Sequence, residues 1–322
     1  MTITLLLPAR ERFGGQRLSP ATGKALARAD RSQAAADPSI DGRAQIARVL
    51  DVLPRGLPVA AAARQRDAGD AINAVWLRAD PAYVQPDING ARLLSYGQAL
   101  GLTAADAAEL LRPLKPLFGD TGFPIDAPVP SRWYLRLPPG AKLPEFTSPE
   151  QALGADMFDQ LPEGNEGRRW RALLSEAQVV LHNHPLNARR IAAGLAPVNS
   201  LWFWGAGVLP DHVRTRFARI ASDDEAVTAL AALSGAQVDT RPMSWPGNAE
   251  DALFDLRDGR DLALLERDWF APLLAALAKG QLDSVQFDFA DGARYDLARS
   301  QRWRFWRKPL HSFVAAAGSS AA

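Results

Sequence analysis

The feature that most limits what this chain can fold into is the alternation of short apolar runs with helical repeats along its second half. "NSLWFWG" (199–205) and "DALFDLR" (251–257) read as strands. Between them a helix is expected to start at Ser222, with Glu225 three residues on completing a capping box, and to stop at Gly235. "LALLERDWFAPLLAALAKG" (262–280) repeats its apolar residues at helical spacing and ends on a glycine. "SVQFDFADGARYDL" (284–297) predicts a hairpin turning at Asp291-Gly292. Strands that take turns with helices pair most simply in parallel, so the expected core is α/β, a mostly parallel sheet with helices on both faces.

The first half adds a buried strand at 2–7 and helices at 20–36 and 43–53, the second carrying Ile46, Val49, Leu50 and Leu53 on one face. Residues 73–78 read as a strand, followed by the loop "ADPAYVQPDING". Thr103 caps a helix with Asp106 in its first turn, and "RWYLRL" (132–137) alternates as a strand does. A long helix over 166–182 places Trp170, Leu173, Leu174, Ala177 and Leu181 along one side. The middle of the chain is less regular. It predicts a smaller α+β insertion at 66–194 within a discontinuous core of 1–65 and 195–322.

Composition narrows the function. Of 322 residues 47% are apolar and 23% charged, enough for a substantial core. Lys+Arg (37) nearly balances Asp+Glu (36), and a polyanion binder usually carries a basic excess, so nucleic acid is not expected as a partner. The absence of cysteine removes thiol nucleophiles, disulfides and zinc ribbons. The apolar run Ile3–Leu7 is broken by Pro8, and no run approaches the ~18 residues of a span. A cytoplasmic protein with no membrane partner is the expectation. No motif of a serine hydrolase, P-loop, kinase or zincin is present.

The densest chemistry lies in "LHNHPLNARRIAAGLAPVNSLWFWGAG" (181–207). Pro185 ends the long helix, and a short helix follows to Gly194. Asn187 is placed to cap it, and a helix N-terminus beside Arg189 and Arg190 can hold a phosphate or carboxylate. An ordinary capped helix with solvated arginines satisfies the same residues. Trp202 and Trp204 share one strand face, with Phe203 on the other. Gly205 and Gly207 would let the backbone turn and approach a ligand beyond the strand's carboxyl end, or simply make a tight turn. His182 and His184, at a helix end, diverge by about 200°, which favours structural roles over chelation. "QRWRFWRK" (301–308) fits an edge strand with a charged outer face, and base stacking on its aromatics is the alternative.

The 181–207 stretch resembles the archaeal-type cofactor-independent phosphoglycerate mutases, in which His-Pro, Asn, Arg and Gly, then Asn, an apolar strand and Gly-x-Gly, lead back into an alkaline-phosphatase-like core. A closer resemblance is to a proteobacterial phosphoglycerate-mutase-like group, the E-type protein of the regulation-of-pathogenicity-factors cluster. "AVWLRADPAYVQPD", "RWYLRL", "NEGRRWRALLSEAQVVLHNHP" and "RWRFWRK" carry it in the same order.

The resemblance implies two divalent metals on Asp and His ligands and a Ser or Thr nucleophile. This chain departs from that pattern. Its first strand ends "LLLPARERFGG", without the acidic ligand, and "QFDFADG" offers Asp288 and Asp291 but no histidine. No catalytic residue, metal or cofactor is therefore expected; Mn, Zn or Mg would belong only to the alternative, an active mutase or phosphatase. The ligand-binding set implied by the resemblance is Asn187, Arg190, Asn199, Gly205 and Gly207. Arg189 is adjacent, and Arg10 stands as positive charge where metals were held. The favoured function is a non-catalytic or regulatory relative that binds a small anionic metabolite or a protein partner. A nucleic-acid-linked regulator ranks last.

Overall fold

A computed structural model describes residues 1–34, 43–87, 90–247 and 250–314. In chain order the strands are β1 (Thr2–Leu7), β2 (Asp30–Gln33), β3 (Asp51–Leu53), β4 (Val75–Asp87), β5 (Gly90–Tyr96), β6 (Ile125–Val129) and β7 (Arg132–Leu137). They continue with β8 (Ser200–Val208), β9 (His212–Arg214), β10 (Arg219–Ala221), β11 (Gln237–Asp239), β12 (Ala252–Asp255), β13 (Ser284–Phe289) and β14 (Ala293–Ala298). The helices are α1 (Pro20–Ala27), α2 (Arg43–Ala47), α3 (Val59–Ala68), α4 (Ala104–Asp120) and α5 (Pro149–Ala152). After them come α6 (Gly164–His182), α7 (Pro185–Ala192), α8 (Glu225–Leu233), α9 (Leu262–Leu265) and α10 (Ala271–Lys279).

The chain forms two units, Met1–Val52 with His212–Ala322, and Leu53–Asp211. In the first, the strand order is β11-β10-β12-β1-β13-β14-β2. Pairing is parallel from β11 through β13 and antiparallel at β14 and β2. This is the mostly parallel sheet expected. β1 has β12 on one side and β13 on the other and is buried from Ile3 to Leu7, which explains why "ITLLL" does not alternate. Its neighbours supply Phe254, Phe287 and Phe289 to a core closed by Trp269, Phe270 and Leu273. The β13–β14 hairpin turns at Gly292, whose φ of 83° only glycine adopts readily.

The second unit is built on an antiparallel sheet, β5-β4-β7-β6, with β8 along β4. Its core stacks Trp170 on Phe123 (5.4 Å, 5° between planes) and sets Phe203 edge-on to Trp170 at 5.2 Å. α4 begins at the expected Thr103 cap, which the structure completes as a capping box with Asp106, and α6 carries the expected apolar face, Trp170 to Leu181.

Several expectations are corrected. The inserted unit is nearly half the chain rather than a smaller 66–194 segment, because β8 pairs with β4 along Val75–Ala82 and α3 also belongs to this unit. β8 therefore belongs to the second unit's antiparallel sheet and not to the parallel sheet of the first. β4 runs on through the expected loop to Asp87, since β5 pairs with its far half. The helix expected over 20–36 stops at Ala27, and β2 follows as an edge strand on β14; residues 35–42 lie outside the described residues. The helix of 43–53 ends at Ala47, and 51–53 are strand. "QRWRFWRK" is not an edge strand: Arg299–Trp303 form a 3-10 turn, followed by irregular chain. Asp224, not Ser222, caps α8, its carboxylate accepting from the Val227 amide at 3.0 Å.

Candidate functional site

Open α/β sheets bind ligands at the carboxyl ends of their parallel strands, and here those ends are crowded with paired charge. β1 ends in Leu7 and passes through Pro8 and Ala9 into the turn Arg10–Phe13, with no carboxylate at the strand end. β12 ends in Asp255, which accepts Ser222 Oγ at 2.7 Å and the Arg257 guanidinium at 2.7 and 2.8 Å. Arg257 also reaches Asp224 at 2.9 Å. Burial would lower its pKa, but the bonds to Asp255 and Asp224 raise it further. Arg241 spans Asp258 and Asp223. Its hydrogen bond holds the Asp258 carboxyl below the usual range.

β13 brings Asp288 to the same edge, fully buried. Arg48 donates to its Oδ1 at 2.6 Å, and Arg294 to its Oδ2 at 2.7 Å. Gln45 Nε2 ties the Leu7 and Asp288 carbonyls together at 3.2 and 2.6 Å. Arg10, expected to offer free positive charge, donates to Asp291 at 2.7 Å. Asp288 and Asp291, the two aspartates of "QFDFADG", are thus held by guanidinium groups. Among the described residues, no group of three or more His, Cys, Asp or Glu side chains could hold a metal ion. A dinuclear centre does not fit this donor set.

A different electrostatic balance surrounds Arg260. Burial, and then the positive charge of Arg12 beside it, push its pKa down. Its NH1 donates to the Arg257 and Gly259 carbonyls, each at 3.0 Å.

The six candidates in 181–207 all lie in the second unit and knit it together. Asn187 is buried, donating to the Leu181 and Val198 carbonyls (2.8 and 2.9 Å) and accepting from the Val198 amide (2.8 Å). It does not cap α7; His184 does, its Nδ1 accepting from the Leu186 amide at 3.2 Å. Arg190, 3% exposed, donates to the Ala196 and Leu100 carbonyls at 2.9 and 2.5 Å, with Asp106 at 3.8 Å. Arg189 is exposed and paired with Glu109 at 2.6 Å. Asn199 clamps the main chain of Val84 from both sides, at 2.9 and 2.7 Å.

Gly205 and Gly207 lie inside β8, not in a loop beyond it. Trp204 pairs with Arg78 and Gly207 with Trp76, so Gly205 and Ala206 oppose Leu77 alone, a bulge with Gly205 at φ 67°. A Cβ on Gly207 would sit 2.5 Å from Pro58 Cβ, and one on Gly205 3.2 Å from Val59 Cβ. The glycines are a notch that admits the start of α3. A shallow hollow nearby is lined by Phe146, Trp170, Trp202 and Phe203 among others, and none of the seven candidates borders it.

Sequence reasoning missed the charges around these elements. Trp204 Nε1 donates to Asp80 at 2.7 Å, and Asp80 pairs with Arg78 at 2.8 Å, both 1% exposed. The Arg48–Asp288–Arg294 cluster was equally hidden, since Arg48 stands 240 residues from Asp288. The one available signal was an aspartate at the last position of one apolar strand, "ALFD", and the last but one of another, "QFDF".

No known family profile matches the chain. It is 41% identical over 66 residues to a 2,3-bisphosphoglycerate-independent phosphoglycerate mutase of Methanosarcina barkeri, covering 20% of this chain and 17% of that protein. It is 29% identical over 109 residues to a probable enzyme of the same name from Geobacter sulfurreducens, covering 34% and 27%. The chain thus matches only about a sixth to a quarter of the length of these relatives. Among solved structures, a cofactor-independent phosphoglycerate mutase of Thermoplasma acidophilum is similar with a TM-score of 0.41 and 14% identity, over 92% of this chain and 88% of that one.

Proposed function

We propose that this chain is a phosphoglycerate-mutase-like protein with an alkaline-phosphatase-like core that has given up metal-dependent phosphoryl transfer. In this reading it acts as a regulatory protein that binds a small anionic, phosphorylated metabolite. The observation that carries the proposal is Asp288, a buried carboxylate at the carboxyl edge of the sheet gripped by Arg48 and Arg294. Two guanidiniums occupy the lone pairs a divalent metal would need, and their charge repels a second cation. The strand end at Pro8 and Ala9 supplies no replacement ligand. Sequence similarity to phosphoglycerate mutases supports the lineage. Arg12 and Arg260, exposed cations that follow the carboxyl ends of β1 and β12, are the residues this reading nominates for the anion.

Elemental analysis and a mutase assay with added Mn, Zn or Mg test the first half. The expected result is no bound metal and no turnover, while stoichiometric metal with turnover restores the active mutase. Thermal melting with 2- and 3-phosphoglycerate and inorganic phosphate tests the second. Stabilisation is expected, and it is expected to vanish in the Arg12→Ala, Arg260→Ala double variant. No shift with any of these anions removes the ligand from the reading.

A further inference from the structure

Between Arg299 and Lys308 the chain holds five cations, three large aromatics and no carboxylate. This segment is clamped on its inner side. Gln301 donates to Asp30 at 2.8 Å, Arg304 to the Arg28 carbonyl at 3.1 Å, and Arg307 to the Ala29 carbonyl at 2.7 Å. Further on, the Leu310 amide bonds the Gly23 carbonyl at 3.0 Å, and Phe313 enters the core against Phe13 and Phe289. With Gln301, Arg304 and Arg307 bonded inward, the segment leaves Trp303 65%, Phe305 77% and Trp306 68% exposed. Folded surfaces seldom fix three such side chains together in water without a partner.

Two partners match aromatics among cations, and the geometry separates them. Single-stranded nucleic acid asks for open ring faces and a row of cations along the backbone. Here the Arg302 guanidinium lies over the Trp303 ring at 4.8 Å, and Phe305 and Trp306 meet edge to face at 78°. Arg304 is turned onto Asp30 and Arg307 onto a carbonyl. A bilayer surface asks less: aromatic rings at headgroup depth and a few cations against anionic lipid. We propose that this patch is a peripheral docking site for an anionic lipid bilayer. Trp303, Phe305 and Trp306 enter the interface while Arg302 and Lys308 meet lipid phosphates. This is attachment, not spanning, since among the described residues no helix is long and apolar enough to cross a membrane. It departs from the expectation of no membrane partner.

The full chain is to be sedimented with phosphatidylcholine vesicles, with and without phosphatidylglycerol. Binding to the anionic vesicles, weakened by salt and slight on neutral ones, is expected. The Trp303→Ala, Phe305→Ala, Trp306→Ala variant alters only exposed side chains. It is expected to keep the wild-type melting temperature and partition about tenfold more weakly or worse. Arg302→Ala and Lys308→Ala are each expected to cost roughly fivefold. Failure to sediment with anionic vesicles at low salt overturns the proposal, as does undiminished binding by the triple variant. Binding a single-stranded oligonucleotide but no vesicle reassigns the patch to nucleic acid, and self-association abolished by the triple variant reassigns it to a second copy.

Discussion

Gly207→Ala separates a packing notch from a ligand loop. The new Cβ would stand 2.5 Å from Pro58 Cβ and 3.0 Å from Pro58 Cα, where ordinary carbon contacts begin near ~3.5 Å. Relief requires the start of α3 to move by about 1 Å from β8, and overpacking of this kind costs about 1–3 kcal/mol. At 2 kcal/mol the second unit should melt roughly 4–8 °C lower. Pro58→Gly removes the nearer of the two atoms, so a double-mutant cycle followed by urea unfolding should return about 1 kcal/mol of favourable coupling. Gly205→Ala should also destabilise, by roughly 1–2 kcal/mol, because its backbone is left-handed at φ 67°. A Gly207→Ala protein melting with wild type, or a strictly additive cycle, would refute the notch.

Asn187→Ala should destabilise the protein by about 2–4 kcal/mol in the absence of any ligand, because it orphans the Leu181 and Val198 carbonyls and the Val198 amide; an unchanged urea midpoint argues instead for a ligand role. Stability should also fall in acid through Asp67. Burial raises its pKa, but hydrogen bonds from Arg132 and Tyr134 bring it below the usual 3.8. A carboxyl depressed by folding contributes stability above its unfolded pKa and loses it as pH drops through the folded value. The decline should therefore lie below about pH 4 and be shallower in Asp67→Asn, as read by urea midpoints across that range.

How much of the site was legible follows from what each residue type reports. The segment 181–207 stood out because Asn, Arg and Gly suit caps, anions and turns alike. Asn187 and Asn199 spend their amides on main chain, and Arg190 caps carbonyls, roles that look the same as ligand binding in a string of letters. Gly205 and Gly207 proclaimed an unusual backbone, and a β-bulge delivers one as readily as a phosphate loop. Arg10 was visible as a charge, while its partner Asp291 lies 281 residues away.

The chain's own letters decided what is local. Apolar runs became β1, β12 and β13, Thr103 with Asp106 began α4, Gly280 closed the last helix, and Asp291-Gly292 turned a hairpin. Each rests on backbone and neighbouring side chains a few residues apart. Tertiary structure decided which strand β8 joined and which arginines neutralised Asp288. It also decided that the segment after β14 turns its aromatics outward. The β4–β8 pairing and the Arg48–Asp288 bond join residues more than a hundred positions apart, and no short-range pattern records such partners, whereas Arg294 meets Asp288 across the local β13–β14 hairpin.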